Sequence, residues 1–222
     1  MKCAVLFSGG KDSAYAAYLA KKQGYEISCL ISIISKNPDS YMFHTPSISK
    51  VKKQAEAMDL PLIIQETEGD KEEELIDLEN AIKEAKNKYK IESVITGAVE
   101  SVYQTSRIQR ICDKLNLECF NPLWQKDQIE LLHDLMKNDF KIVLTGVFAY
   151  PLDKTWLGKE INKRFIEETE KLYDKYKINP AGEGGEYESF VLNCPLFAKE
   201  LKIEDKQISG KKNSWKMEIE VK

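Results

Sequence analysis

Six consecutive residues, Ser8-Gly9-Gly10-Lys11-Asp12-Ser13, combine two glycines, a cation, a carboxylate and two hydroxyls. An apolar run, Cys3-Ala4-Val5-Leu6-Phe7, precedes them and predicts a buried strand. Ala14 to Ala20 follows and predicts a helix. Glycine at such a turn permits positive φ and close approach of a ligand. The first N–H groups of a helix have no intrahelical partner and carry partial positive charge. Lys11 adds a full charge, Ser8 and Ser13 add donors, and Asp12 is a candidate ligand for a magnesium ion bridging phosphate oxygens. These residue types in this order predict a phosphate cradle, with Lys11 and Asp12 facing solvent. The plain alternative is a strand-to-helix turn whose glycines serve only tight geometry.

The spacing is not that of the Walker loop, and the dinucleotide Gly-x-Gly-x-x-Gly pattern is absent. Ser8 to Ser13 instead resembles the PP-loop of the ATP pyrophosphatases. Their fold is similar to that of other adenine-nucleotide enzymes that cleave ATP between the α- and β-phosphates.

A second stretch stands out, Asn179-Pro180-Ala181-Gly182-Glu183-Gly184-Gly185-Glu186-Tyr187-Glu188-Ser189. Three glutamates interleaved with glycine suit metal binding, base catalysis or a cationic substrate; a solvated acidic loop is the plain alternative. With the PP-loop, this stretch resembles the diphthine–ammonia ligase family. Gly97-Ala98, Tyr103-Gln104 with Arg107, Asn121-Pro122-Leu123-Trp124 and Trp156-Leu157-Gly158 extend the likeness over nearly the whole chain. Ser189 stands where many members have threonine, and Asn193-Cys194 where an acidic and a small residue are common.

The resemblance implies a ligase that uses ATP and ammonia to amidate diphthine on translation elongation factor 2, giving diphthamide, AMP and pyrophosphate. A carboxylate must first become an acyl-adenylate before ammonia can displace AMP. Ser8, Gly9, Gly10, Lys11 and Ser13 would hold the leaving pyrophosphate, with Mg2+ on Asp12. Ammonium is no nucleophile, so Glu183 or Glu186 would serve as base. Ile33, Gly97 and Ala98 are expected beside the nucleotide, and His44 either touches it or makes a structural hydrogen bond. Tyr103, Gln104, Arg107, Trp124, Tyr187 and Glu188 are the substrate candidates, with Tyr187 or Trp124 and Glu188 set to receive diphthine's trimethylammonium group. For Tyr187 and Trp124 simple packing is the alternative, and for Arg107 a surface ion pair.

These residues need elements to position them. Apolar runs at 26–34, 60–64, 93–96, 117–120 and 141–147 alternate with helical patterns, 72–89 among them. The alternation predicts an α/β fold, a doubly wound parallel sheet of the PP-loop, Rossmann type, with ligands beyond the strand C-termini. After about residue 147 comes one helix from about Leu157 to Tyr176, then alternating residues that predict an antiparallel tail. The expected division is residues 1–147 for the ATP-binding domain and 148–222 for a smaller α+β domain that binds substrate.

At 222 residues, 42% hydrophobic and 31% charged, the composition is globular, and no run reaches the length of a bilayer span. The chain opens directly on a strand pattern, which favours the cytoplasm over export. A net charge of −3 argues against a stable nucleic-acid partner. The main rival is a tRNA-modifying enzyme of the PP-loop group that thiolates or adenylates a base; the five cysteines include no Cys-x-x-Cys, which counts against thiolation and against a zinc site. A small-molecule amide synthetase is the other rival, and a non-catalytic nucleotide sensor a third. Whether the chain forms a homo-oligomer is left open.

Overall fold

The computed structural model describes residues 1–35, 48–69 and 71–222. By contacts the chain divides into two compact units, Met1–Ser8 with Asp12–Trp124, and Gly9–Lys11 with Gln125–Lys222.

The first unit holds strands β1 (Lys2–Leu6), β2 (Glu26–Ser35), β3 (Leu62–Thr67), β4 (Ser93–Ile95) and β5 (Glu118–Phe120). Its helices are α1 (Lys11–Lys22), whose first residue belongs by contacts to the second unit, α2 (Ile48–Met58), α3 (Lys71–Tyr89) and α4 (Val102–Lys114). The five strands pair in parallel in the order β3-β2-β1-β4-β5. Cys3, Ala4 and Val5 are fully buried, as a strand with parallel neighbours on both edges requires. Val5 lies between Leu30 and Ile95 in register. The chain winds outward from β1 to β3, then returns to β4 on the other side. That reversal makes the C-terminal ends of β1 and β4 the topological switch point. Helix α3 sets Leu78, Ala81, Ile82 and Ala85 at helical spacing into a core shared with Ala4, Ile31 and Val94.

In the second unit, helices α5 (Gln128–Lys137) and α6 (Lys163–Tyr176) accompany strands β6 (Lys141–Val147), β7 (Tyr187–Asn193), β8 (Ile203–Lys211) and β9 (Ser214–Val221). The strands form an antiparallel sheet in the order β7-β6-β9-β8. Asp127 caps α5 by accepting from the Glu130 N–H, and Asn162 caps α6 by accepting from the Phe165 N–H.

The fold is the expected parallel α/β sheet followed by an antiparallel part. The structure differs in where the division falls. Lys141–Val147 was expected to close the parallel sheet, with the boundary near 147. It pairs antiparallel with β7 and β9, and its unit begins at Gln125. Ile142, Val143 and Leu144 are all buried, and a strand covered on both faces has the same continuous apolar pattern in either kind of sheet. The last long helix starts at Lys163 rather than near Leu157, because Asn162 ends the irregular segment as its cap. His44 lies outside the described residues.

Candidate functional site

The loop after β1 is shaped by glycine. Gly9 has φ 82°, in the left-handed region. The Ser8 N–H donates to Ser13 Oγ at 3.2 Å, and the two hydroxyls lie 3.2 Å apart. Helix α1 begins at Lys11, so the N–H groups of Lys11, Asp12 and Ser13 belong to its first turn. Gly97, just past β4, faces that turn. A Cβ there would lie 2.7 Å from both the Asp12 carbonyl carbon and the Ser13 nitrogen. Only glycine lets the two strand-end loops approach so closely at the switch point. Behind it, the Ala98 N–H donates to Thr96 Oγ1 at 3.2 Å, and the Thr96 hydroxyl donates to Asn121 Oδ1. Asp12 is half-buried.

Gly9, Lys11 and the glycine-rich loop come together within the second unit. Lys11 is 3% exposed, not solvent-facing as the sequence suggested. Its ammonium lies 3.4 Å from Glu183 Oε1 and 5.8 Å from the centre of the Tyr187 ring. Strand β7 fixes the backbone beneath it. The Lys11 N–H donates to Ser189 Oγ at 3.2 Å, and the Val191 N–H donates to the Gly9 carbonyl at 3.1 Å.

Asn179 organises the glycine-rich loop. Its Oδ1 accepts from the N–H groups of Ala181 at 3.1 Å and Glu183 at 3.2 Å. Its own N–H donates to Glu186 Oε1 at 3.0 Å. That carboxylate folds over Gly184, where a Cβ would sit 2.7 Å from Oε1. Glu186 Oε2 is buried and accepts no hydrogen bond among the described residues. Tyr187 is 6% exposed. Its hydroxyl donates to the Pro180 carbonyl at 2.8 Å, and its ring meets Phe165 edge to face. Glu188 is half-buried opposite Gly146 on β6.

The other expected residues fall in the first unit. Ile33 is buried on β2. The Arg107 guanidinium stacks 3.3 Å from the centre of the Tyr103 ring, and Nη1 donates to the Tyr103 carbonyl. Gln104 gives its N–H to Ser101 Oγ, the cap of α4. Trp124 is half-buried in the turn that ends this unit, its N–H on the Asn121 carbonyl. Sequence reasoning missed Asn179 and Ser189 as organisers, although both flank the glutamates. It could not have found Val191, which acts through its backbone.

Cys112 on α4 and Cys119 on β5 hydrogen-bond to each other. The Cys112 S–H, with burial, raises its own pKa, and the same bond holds that of Cys119 below the ordinary thiol value. Burial pushes Cys3 and Cys29 up to about 12 and Cys194 to about 11. No cluster of three or more metal-ligating side chains occurs among the described residues.

Residues 1–119 match the family model of the diphthamide synthase N-terminal domain, and residues 127–221 that of its C-terminal domain. Diphthine–ammonia ligase of Mus musculus is 34% identical over 231 residues, covering 93% of this chain and 84% of that protein. The Homo sapiens protein of the same name is 33% identical, covering 94% and 85%. The Schizosaccharomyces pombe one is 34% identical over 94% of this chain, which spans only 37% of its length. A tRNA-specific 2-thiouridylase of Helicobacter pylori aligns at 40% identity over only 32% of this chain and 20% of its own. The structure of a predicted tRNA methyltransferase subunit from Methanocaldococcus jannaschii covers 90% of this chain and 99% of its own at 18% identity and a TM-score of 0.43, too loose to carry an argument. Matched by both domain models and by full-span relatives at about one-third identity, the chain belongs to the diphthamide synthase family.

Proposed function

We infer that this chain is an ATP-dependent ligase that joins ammonia to the carboxyl of diphthine on translation elongation factor 2, releasing AMP and pyrophosphate. The observation that carries this reading is the alignment of proteins named diphthine–ammonia ligase over more than nine-tenths of the chain. The geometry supports a phosphate-handling role. Gly9 at positive φ, the first turn of α1 and the Lys11 ammonium fit a polyphosphate, and a Cβ at Gly97 would fill the approach to that turn. Among α/β sheets the switch point between β1 and β4 is the place for a nucleotide, which supports Ile33, Gly97 and Ala98 as its neighbours.

The residues divide the work as follows. Ser8, Gly9, Gly10, Lys11 and Ser13 hold the leaving pyrophosphate, so the α-phosphorus is the electrophile that the diphthine carboxylate attacks. Asp12 would hold a magnesium ion, which supplies charge neutralisation on the phosphates. Ammonia then displaces AMP from the acyl-adenylate. Glu186 accepts the proton that ammonium must lose; its buried, undonated Oε2 is the kind of oxygen an ammonium N–H satisfies. Tyr187 packs the loop through Phe165 and Pro180. Tyr103, Arg107, Gln104 and Trp124 are the candidates of the first unit for recognising the modified histidine, and Glu188 is a separate candidate. A substrate on the translation factor supports a cytoplasmic location, and the net charge of −3 supports no stable nucleic-acid partner.

Radiolabelled ATP tests the reading. The account expects AMP and pyrophosphate, formed only with diphthine-bearing elongation factor 2. Equal turnover on the unmodified factor, or on tRNA, would contradict it.

A further inference from the structure

Lys11 is placed to do two incompatible things. Lys11 is 3% exposed, and its ammonium lies against Glu183 Oε1 at 3.4 Å. Glu183 is itself held in place, since its N–H donates to Asn179 Oδ1 and its side chain is only 16% exposed. A phosphate brought to the same ammonium meets that carboxylate as a like charge in a setting with little solvent to screen it. Two anions held against one buried cation repel each other, so each weakens the other's hold on the ammonium. The Lys11 backbone is meanwhile pinned by Ser189 and, through Gly9, by Val191, so the side chain cannot retreat with the loop.

We propose that Glu183 is an internal competitor of pyrophosphate for Lys11: it weakens phosphate binding and speeds release of pyrophosphate by recapturing the ammonium. The proposal rests on the reading of Ser8–Ser13 as the pyrophosphate cradle. It makes Glu183 a positioning residue that acts through Lys11, and separates it from Glu186, whose carboxylate is tied to the Asn179 N–H. The chemical logic suits an adenylating enzyme. Pyrophosphate that stays bound reverses the adenylation, so a carboxylate that displaces it commits the acyl-adenylate to ammonia.

Titration calorimetry with inorganic pyrophosphate, without magnesium and without diphthine, reads this directly. Glu183→Gln should bind pyrophosphate at least about fivefold more tightly than wild type, the low end of measured couplings between sites. In the Lys11→Ala background the same substitution should have no effect on affinity, because the competition runs through Lys11. Glu183→Asp keeps the charge but shortens the reach, and should also tighten binding. Unchanged or weaker binding by Glu183→Gln overturns the proposal. So does equal tightening in the Lys11→Ala background, which would indicate general charge repulsion. So does tightening by Gln but not by Asp. Absence of pyrophosphate binding in every variant overturns both the exchange and the cradle. Loss of diphthine-dependent AMP formation with the affinity pattern intact would instead strike only the proposed reaction.

Discussion

Lys11 is the residue on which the account turns. Loss of one donor to a developing transition-state charge costs about 100- to 1,000-fold in rate, so Lys11→Ala should cut AMP formation by that order in a chromatographic assay. Because Lys11 is buried beside Glu183, the substitution should also lower the melting temperature, by leaving a carboxylate without that partner. Lys11→Arg should restore much of the stability and little of the rate. Thiol chemistry gives an independent check of the first unit. Burial holds Cys3 and Cys29 at about 12, so neither carries appreciable thiolate at neutral pH. Cys119, lowered by its bond from Cys112 and only half-buried, should be alkylated first in the folded protein, as peptide mapping would show. Equal labelling of Cys29 would contradict the packing of β2. At this scale the sequence revealed what lies in one short run. Ser8–Ser13 and the three glutamates are legible because their residue types are dense and local. The burial of Lys11 was not, because the acceptor of its N–H, Ser189, is 178 residues away.

Among the elements, the two strand-end loops at the switch point carry the tightest constraint. Gly97→Ala would drive a methyl group into the backbone of Asp12 and Ser13. A clash with backbone, unlike one with a flexible side chain, costs about 1–3 kcal/mol, and should appear in urea denaturation together with weakened ATP binding. Helix α3 offers a pH-dependent test. The Lys114 and Lys83 ammonium groups hold the Glu79 carboxyl below its ordinary value, and Lys114 belongs to α4. A depressed carboxylate contributes stability above the unfolded pKa and loses it as pH falls through the folded one. Glu79→Gln should therefore lower the urea midpoint at neutral pH, and the difference from wild type should close in acid. The same elements mark the reach of pattern reading. Strands β1 to β5 and their helices were legible from apolar runs and helical spacing. Strand β6 was read into the wrong sheet, since Ile142, Val143 and Leu144 are buried on both faces in either setting. Strand β8 escaped because its residues from Glu204 to Lys211 are exposed and carry no apolar alternation.

For the whole molecule, the activity belongs to a chain matched in both units by one family. No described helix is long and apolar enough to cross a membrane. ATP should be split to AMP and pyrophosphate and never to ADP and phosphate, since the proposed cradle would hold two phosphates as one leaving unit; stoichiometric ADP would overturn that. The rival within the PP-loop group acts on tRNA, and the tRNA-specific 2-thiouridylase of Helicobacter pylori aligns over only 32% of the chain. The central claim is the conversion of an acid to an amide on a protein. Its most direct test is mass spectrometry of diphthine-bearing elongation factor 2 after incubation with this protein, ATP, magnesium and ammonium labelled with heavy nitrogen. The account predicts one heavy nitrogen incorporated at the modified histidine, dependent on ATP and lost in Lys11→Ala. A modified histidine that remains the free acid while wild-type protein binds and hydrolyses ATP would contradict it.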